Sequence, residues 1–317
     1  MIALMQSTLP YIDADELFRL VPLTDALRAL RQCFATAPSH VDRVHSRAGG
    51  GEFLVMPAAA GDVAGVKLVG IQPANPPRGL PIIQGVYVLF DMRIGQPIAL
   101  LDGAALTTLR TPMISALATD SLARADARSV GLIGTGPQAV AHLHAMRVVR
   151  PDIDHVVVAG RTPAHVSGVV DALVSTGESA RIGSYADAAA CDIVCAATRA
   201  DHALFGLAEV RRGTHLNLVG SYRLDLREVA ADLVASSTVA VDDVAAARTE
   251  AGDLHLAVAE GAWSWDRIAG DLTDLASGRL GRTSEDEITV FKSVGLAVQD
   301  LVIAQCAAEA AGILEMS

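Results

Sequence analysis

Aromatic residues are scarce, 4% of a 317-residue chain in which 51% of residues are hydrophobic. A core with so few rings is left to Ala, Val, Leu and Gly, the mix of small-residue helices packed on Val-rich strands in α/β proteins. Positive charge is short too: 25 Lys and Arg face 36 Asp and Glu, for a net charge of −11 with no basic block. Such a surface repels phosphate backbones and argues against nucleic acid as a partner. No apolar run approaches the ~18–20 residues of a membrane span, which argues against a membrane partner. The segment Met1-Ile2-Ala3-Leu4-Met5-Gln6-Ser7 has neither a basic stretch nor a long apolar one. No secretory leader is expected, and the protein is read as cytoplasmic. The cysteines, Cys33, Cys191, Cys195 and Cys306, show no zinc-site spacing. Cys191 and Cys195 lie in an apolar, strand-like segment and read as free buried thiols.

What is present is an order of elements long enough for two domains. Residues 13–34 carry apolar positions at helical spacing, broken at Pro22. Residues 52–101 turn strand-like, with a hairpin turn expected at Met92 to Gln96 around Gly95. These strands are expected to form an antiparallel or mixed sheet. A helix is expected to begin at Thr111, capped by its hydroxyl, with Pro112 in the first helical position. From Ser129 the rhythm becomes strand, helix, strand, with strands expected at 130–133, 155–159, 193–197, 215–219 and 239–242. That alternation predicts a doubly wound parallel sheet. Residues 287–311 read as one long helix, which can return to the first domain.

Within the second rhythm, Gly134-x-Gly136-x-x-Ala139 follows a strand and opens a helix at Pro137 that runs to Val149. Gly134 suits a tight turn, Gly136 lets backbone approach a pyrophosphate, and Ala139 allows close helix–strand packing. This is the phosphate-binding turn of a Rossmann unit, and the chain is read as a redox enzyme using a nicotinamide dinucleotide. NAD-selective units place Asp or Glu at the end of the second strand. Here that place holds Gly160-Arg161-Thr162. Arg161 with Thr162 suits a 2′-phosphate, so NADP(H) is preferred and NAD(H) is the alternative. Arg161 as a solvated loop residue is the alternative.

Several further stretches carry a resemblance: Val66-Lys67-Leu68-Val69, Asn75 with Gly79-Leu80-Pro81, Leu89-Phe90-Asp91, Leu106 to Thr111, Val219-Gly220-Ser221-Tyr222 and Ile288 to Gly295. In this order, and with the glycine loop, the chain resembles the ornithine cyclodeaminase/μ-crystallin family over nearly its whole length. The resemblance implies a homodimer with two domains. One is a smaller α+β substrate and dimerisation domain, residues 1–117 rejoined by a C-terminal helix 292–317. The other is a Rossmann domain, residues 118–291.

It also implies imine-centred chemistry on a small amino-acid or ketimine substrate. Arg43 resembles the first carboxylate-binding arginine, Lys67 the active-site lysine and Arg110 the second carboxylate clamp. A guanidinium suits a carboxylate independently of any resemblance. Arg110 is expected beside a helix N-terminus, and Lys67 inside an apolar strand is expected to have a lowered pKa. Lys67 paired with a structural carboxylate is the alternative, and Arg47 competes with Arg43 for the pocket. The cofactor-binding candidates extend to Gln138, Thr198, Val219, Gly220, Lys292 and Ser293. Lys292 and Ser293 line the nicotinamide end, or else start a helix packed on the sheet.

One position departs from the family. Where the cyclodeaminases carry an acidic residue soon after the Val-Gly pair, this chain has Tyr222, with Asp225 three residues on. A phenol does not take up protons as an ionised carboxylate does. The expected activity is therefore reduction of a Δ1-pyrroline-2-carboxylate-type ketimine. Ornithine cyclodeamination, amino-acid (alanine-type) dehydrogenation and non-catalytic NADPH binding stand as alternatives. Trp263 and Trp265 read equally as a ligand wall or as core, and Asp152-x-Asp154-His155 reads as a solvated turn with no metal.

Overall fold

The computed structural model describes residues 8–39 and 41–315. The N-terminal segment read for a leader, residues 1–7, lies outside them, as does His40. Two compact units emerge: Met1–Leu30, Pro38–Arg110 and Leu296–Ser317 form the first, Arg31–Ala37 and Thr111–Gly295 the second. Among the described residues no helix is long and apolar enough to cross a membrane.

The first unit starts with β1 (Tyr11–Ile12), α1 (Ala14–Leu20) and α2 (Leu23–Ala35). Asp13 caps α1 by accepting from the Glu16 amide at 2.9 Å, and Pro22 separates the two helices. Then come β2 (Val44–Ala48), β3 (Gly51–Ala60), β4 (Val63–Ile71), β5 (Ile83–Asp91) and β6 (Gln96–Asp102). They pair antiparallel in chain order, and β1 joins β6 in parallel, so the sheet is mixed, as expected. Alternate residues of a strand share a face. On β4 that rule puts Lys67 on the buried face with Val63, Val69 and Ile71.

The next helix corrects a sequence expectation. α3 (Gly103–Leu122) begins at Gly103, not at Thr111. Asp102 supplies the cap, its carboxylate accepting from the amides of Ala104 and Ala105 at 2.8 and 2.9 Å. A carboxylate serving two orphan amides outcompetes a lone threonine hydroxyl. Pro112 then sits inside the helix, where its missing N–H is offset by the burial of Leu106, Leu109, Met113, Ile114 and Leu117. Arg110 consequently lies within α3, away from that helix's own N-terminus.

The second unit runs β7 (Ser129–Ile133), α4 (Pro137–Val149), β8 (His155–Ala159), α5 (Pro163–Ser175), β9 (Ala180–Ile182), α6 (Tyr185–Ala189) and β10 (Ile193–Ala196). It continues with β11 (His215–Leu218), α7 (Ala231–Ala235), β12 (Thr238–Val241), α8 (Val244–Glu250), α9 (Gly252–Ala259), β13 (Ile268–Gly270), α10 (Leu272–Ala276) and β14 (Thr289–Lys292). The strands form a parallel sheet in the order β13-β12-β14-β11-β10-β7-β8-β9. The chain enters at β7, winds outward to β9 and returns to β10 on the other side of β7. The reversal leaves a crevice at the carboxyl ends of β7 and β10, where doubly wound sheets bind ligands.

The long helix expected over 287–311 is two elements. β14 is buried along its whole length, Gly295 turns the chain at φ 84°, and α11 (Ala297–Ala310) follows. A strand covered on both faces has no polar alternation, so its pattern merges with that of the buried helix beyond it. α11 belongs to the first unit and packs against β3, β4 and β5.

Candidate active site

In the second unit the glycine loop occupies the end of β7. Gly134 has φ 127°, and a Cβ there would stand 2.8 Å from the Ala197 carbonyl oxygen, so both backbone and space demand glycine. Gly136 is different. It caps α4, and a Cβ built on it meets nothing within 4 Å. The protein's own packing does not require that glycine, whereas a pyrophosphate approaching the amino end of α4 does. Pro137 and Gln138 form the first turn, and Ala139 is buried against the sheet at 1% exposure. These residues fit a dinucleotide pyrophosphate.

At the end of β8, Gly160, Arg161 and Thr162 lead into α5, with Arg161 exposed and no carboxylate among the three. Thr198 follows β10, and Val219 and Gly220 follow β11, so both loops open at the carboxyl edge of the sheet. Val219 still pairs with β10 through its amide and the Ala196 carbonyl, 2.9 Å apart.

Lys292 ends β14 and is fully buried, so the alternative that placed it at a helix N-terminus is corrected. Its ammonium lies 2.7 Å from Ser221 Oγ, 3.3 Å from the Leu218 carbonyl and 3.4 Å from Asp253 Oδ2. It is committed to the protein's own groups. Ser293 donates to Asp242 Oδ2 at 3.2 Å, and the same oxygen accepts from the amides of Val294 and Gly295.

In the first unit a buried charge cluster forms around Lys67. Its Nζ is 2.6 Å from Asp300 Oδ2 and donates to Thr107 Oγ1 at 3.1 Å. Arg110 reaches the other oxygen, Asp300 Oδ1, from Nε at 3.3 Å, and donates from Nη1 to Gln299 Oε1 at 2.8 Å. Thr107 and Arg110 share a face of α3, and Gln299 and Asp300 are neighbours on α11. Burial pushes the Lys67 ammonium down to about 8; Asp300 opposes that fall, while Arg110 and, more weakly, Arg43 add to it. Arg43 therefore lies within electrostatic reach of Lys67. Tyr87, opposite Lys67 on β5, is fully buried, and its ring lies so close over Gly65 that no Cβ fits there. Asn75 holds the loop after β4 by donating to the Pro81 carbonyl at 2.7 Å.

Asp300 and Gln299 were not foreseen from sequence. Their signal was a lone carboxylate inside an apolar-periodic segment, matched by a lone lysine inside an apolar strand. Glu228 and Asp253, buried beneath the loops after β10 and β11, were missed as well. Asp225 is exposed and held by Arg223 at 2.6 Å, whereas Tyr222 is half-buried. Trp263 and Trp265 meet edge to face at 5.5 Å, with Arg248 stacked 5.4 Å over Trp265.

A parallel sheet wound both ways from β7, with a bare-backbone glycine loop at its reversal, defines a dinucleotide-binding α/β protein of the Rossmann type. The sequence profile of the Ornithine cyclodeaminase/mu-crystallin family matches residues 16–312, and the chain belongs to that family. It is 37% identical over 259 residues to a Delta(1)-pyrroline-2-carboxylate reductase of Bacillus cereus, covering 80% of this chain and 79% of that protein. The structure of Thermococcus litoralis Delta(1)-pyrroline-2-carboxylate reductase with NADH and L-proline is similar at a TM-score of 0.91 and 30% identity, covering 96% of this chain and 97% of that one. An archaeal alanine dehydrogenase dimer with bound NAD is similar at a TM-score of 0.90 and 28% identity, covering 96% of each chain.

Proposed function

We propose that this protein reduces a small cyclic ketimine carboxylate of the Δ1-pyrroline-2-carboxylate type to the corresponding L-amino acid, using a reduced nicotinamide dinucleotide. The observation that carries the reading is the buried cluster of Lys67, Asp300 and Arg110. It sets a proton donor of lowered pKa beside a guanidinium suited to a carboxylate. The kinship with Delta(1)-pyrroline-2-carboxylate reductases supports the same substrate class.

The residues divide the work by their chemistry. Asp300 and Gln299 hold Arg110 through Nε and Nη1, and the described residues give Nη2 no bond. That edge, with Arg43, binds the substrate carboxylate. Residues 134–139 and the loops after β8, β10 and β11 hold the dinucleotide, which when bound supplies the hydride for the imine carbon. As that carbon becomes saturated, the C=N electron pair passes to nitrogen, and Lys67 delivers the proton nitrogen needs. Lys67 then regains a proton from solvent. Asp300 acts as a positioning residue, keeping the lysine charged in a dry site.

NADP(H) is the dinucleotide we propose, on the strength of Arg161 and Thr162 in place of a carboxylate, with NAD(H) as the second choice. The working form is a homodimer in the cytoplasm, a proposal supported by the dimeric alanine dehydrogenase of the same fold. Cyclodeamination is disfavoured because Tyr222 stands at the acidic position and Asp225 is spent on Arg223 at the surface.

The deciding experiment follows NADPH and NADH oxidation against cyclic ketimines of different ring size, with pyruvate plus amines as the open-chain comparison. Rapid oxidation with a five-membered ketimine is expected. Folded protein that oxidises neither dinucleotide with any imine, or that releases proline and ammonia from ornithine without added dinucleotide, overturns the reading.

A further inference from the structure

The loops after β10 and β11 are joined by one carboxylate. Glu228 is fully buried, and its Oε1 accepts from the Thr198 amide at 2.7 Å and from the Thr198 hydroxyl at 2.9 Å. Its other oxygen accepts from the Gly220 amide at 2.8 Å. The backbone of the same residue continues the joint, its carbonyl accepting from the Leu204 amide at 2.9 Å. The two loops meet so tightly that a Cβ on Gly220 would stand 1.8 Å from the Thr198 carbonyl oxygen and 2.6 Å from Glu228 Oε1. Glu228 is anchored in turn: Asp253 Oδ1 accepts from its amide at 2.6 Å and from the Val229 amide at 3.1 Å.

In a doubly wound sheet the first half, here β7 to β9 with the glycine loop and Arg161, serves the adenosine side and pyrophosphate. The second half, β10 onward, serves the other mononucleotide. We propose that Glu228 is a positioning residue for the nicotinamide mononucleotide half of the dinucleotide, setting the shape of both loops that receive it. This rests on the dinucleotide-dependent reading above. Glu228 touches neither substrate nor dinucleotide; it acts through Thr198 and Gly220.

A carboxylate is needed because it offers acceptors on both oxygens. A carboxamide, or a protonated carboxyl, presents a donor on one side and leaves one loop unanchored. Burial, then the Asp253 carboxylate of α9, push Glu228 up to about 7. Lys292 of β14 and the amides of Thr198 and Gly220 pull the other way. The joint is therefore complete above neutrality and loosens as pH falls through it.

The test measures equilibrium binding of NADH, NADPH, ADP and ADP-ribose to the full-length protein, wild type and Glu228→Gln, with no turnover. The substitution is expected to weaken both reduced dinucleotides by about tenfold or more, the scale of one charged hydrogen bond, and to leave ADP within about twofold. In the wild type, NADH affinity is expected to fall between about pH 8 and about pH 6 while that of ADP-ribose, which like NADH has no titrating phosphate monoester, falls much less. That titration decides the matter even if the variant fails to fold. Dinucleotide affinity unchanged in Glu228→Gln, equal losses for ADP, or a flat wild-type pH profile overturn the positioning role. Wild-type protein that binds neither dinucleotide overturns instead the reading on which it rests.

Discussion

Lys67 and Asp300 stand 2.6 Å apart, both buried, on a strand near the start of the chain and a helix near its end. A buried ion pair is costly to leave half made, because the remaining charge loses its water without gaining a counter-charge. The pair is therefore expected to matter for both proton supply and stability.

Asp300→Asn is expected to push the Lys67 pKa below about 8, since burial and Arg110 then act unopposed. Lys67 must be protonated to donate. The plateau of kcat/KM for imine reduction should thus end at lower pH, read from a pH–rate profile at saturating dinucleotide. An alkaline limb that stays near pH 8 defeats the assignment of that limb to Lys67. Urea unfolding should show a loss of about 3–5 kcal/mol, the usual cost of breaking a buried pair from one side.

Arg110→Lys keeps the charge and loses the fork. The KM for the ketimine should rise by roughly tenfold or more, while the KM for the dinucleotide stays close to wild type. Steady-state kinetics with each substrate varied in turn checks this. A rise confined to the dinucleotide removes Arg110 from substrate binding.

Arg161→Ala is expected to lower the ratio of kcat/KM for NADPH to that for NADH by roughly tenfold, because only NADPH carries the 2′-phosphate that Arg161 is proposed to bind. Parallel assays with the two dinucleotides give the ratio directly. An unchanged ratio means that Arg161 is a solvated loop residue.

Acid should weaken the fold through two histidines. Burial pushes His142 down to about 4 and His215 down to about 3. Both stay neutral in the native state while their unfolded counterparts, near pKa 6.5, take up protons. Each then removes on the order of 1.4 kcal/mol of stability per pH unit below about 6.5, until its folded pKa is reached. Denaturant midpoints between pH 7 and pH 5 should fall steadily, and His142→Gln should make the decline shallower. A flat wild-type profile contradicts the assignment.

Much of the architecture was readable because it is local. Pro22 marks the gap between α1 and α2, Gly95 turns one hairpin, and the alternation from Ser129 onward announces the parallel sheet. The glycine loop could be placed because strand, turn and helix lie within a few residues. What escaped depends on distance or on lost contrast. Asp102 overrode Thr111 as a cap because a carboxylate reaches two amides, which composition alone does not rank. β14 was hidden by its own burial, having no polar face to reveal a period. Glu228 carries no local mark, and Asp300 only that of a carboxylate in an apolar segment; each gains its meaning from a group brought beside it by the fold.

The late position of α11 has a consequence in time. Chains emerge from the ribosome amino end first, and domains tend to fold as they appear. The sheet holding Lys67 is synthesised long before Asp300, so for most of translation this lysine has no counter-charge to make its burial tolerable. The first unit must wait, open and unfinished, until the final helix arrives. A chain that stops before α11 lacks both the counter-charge for Lys67 and the helix that covers β3, β4 and β5.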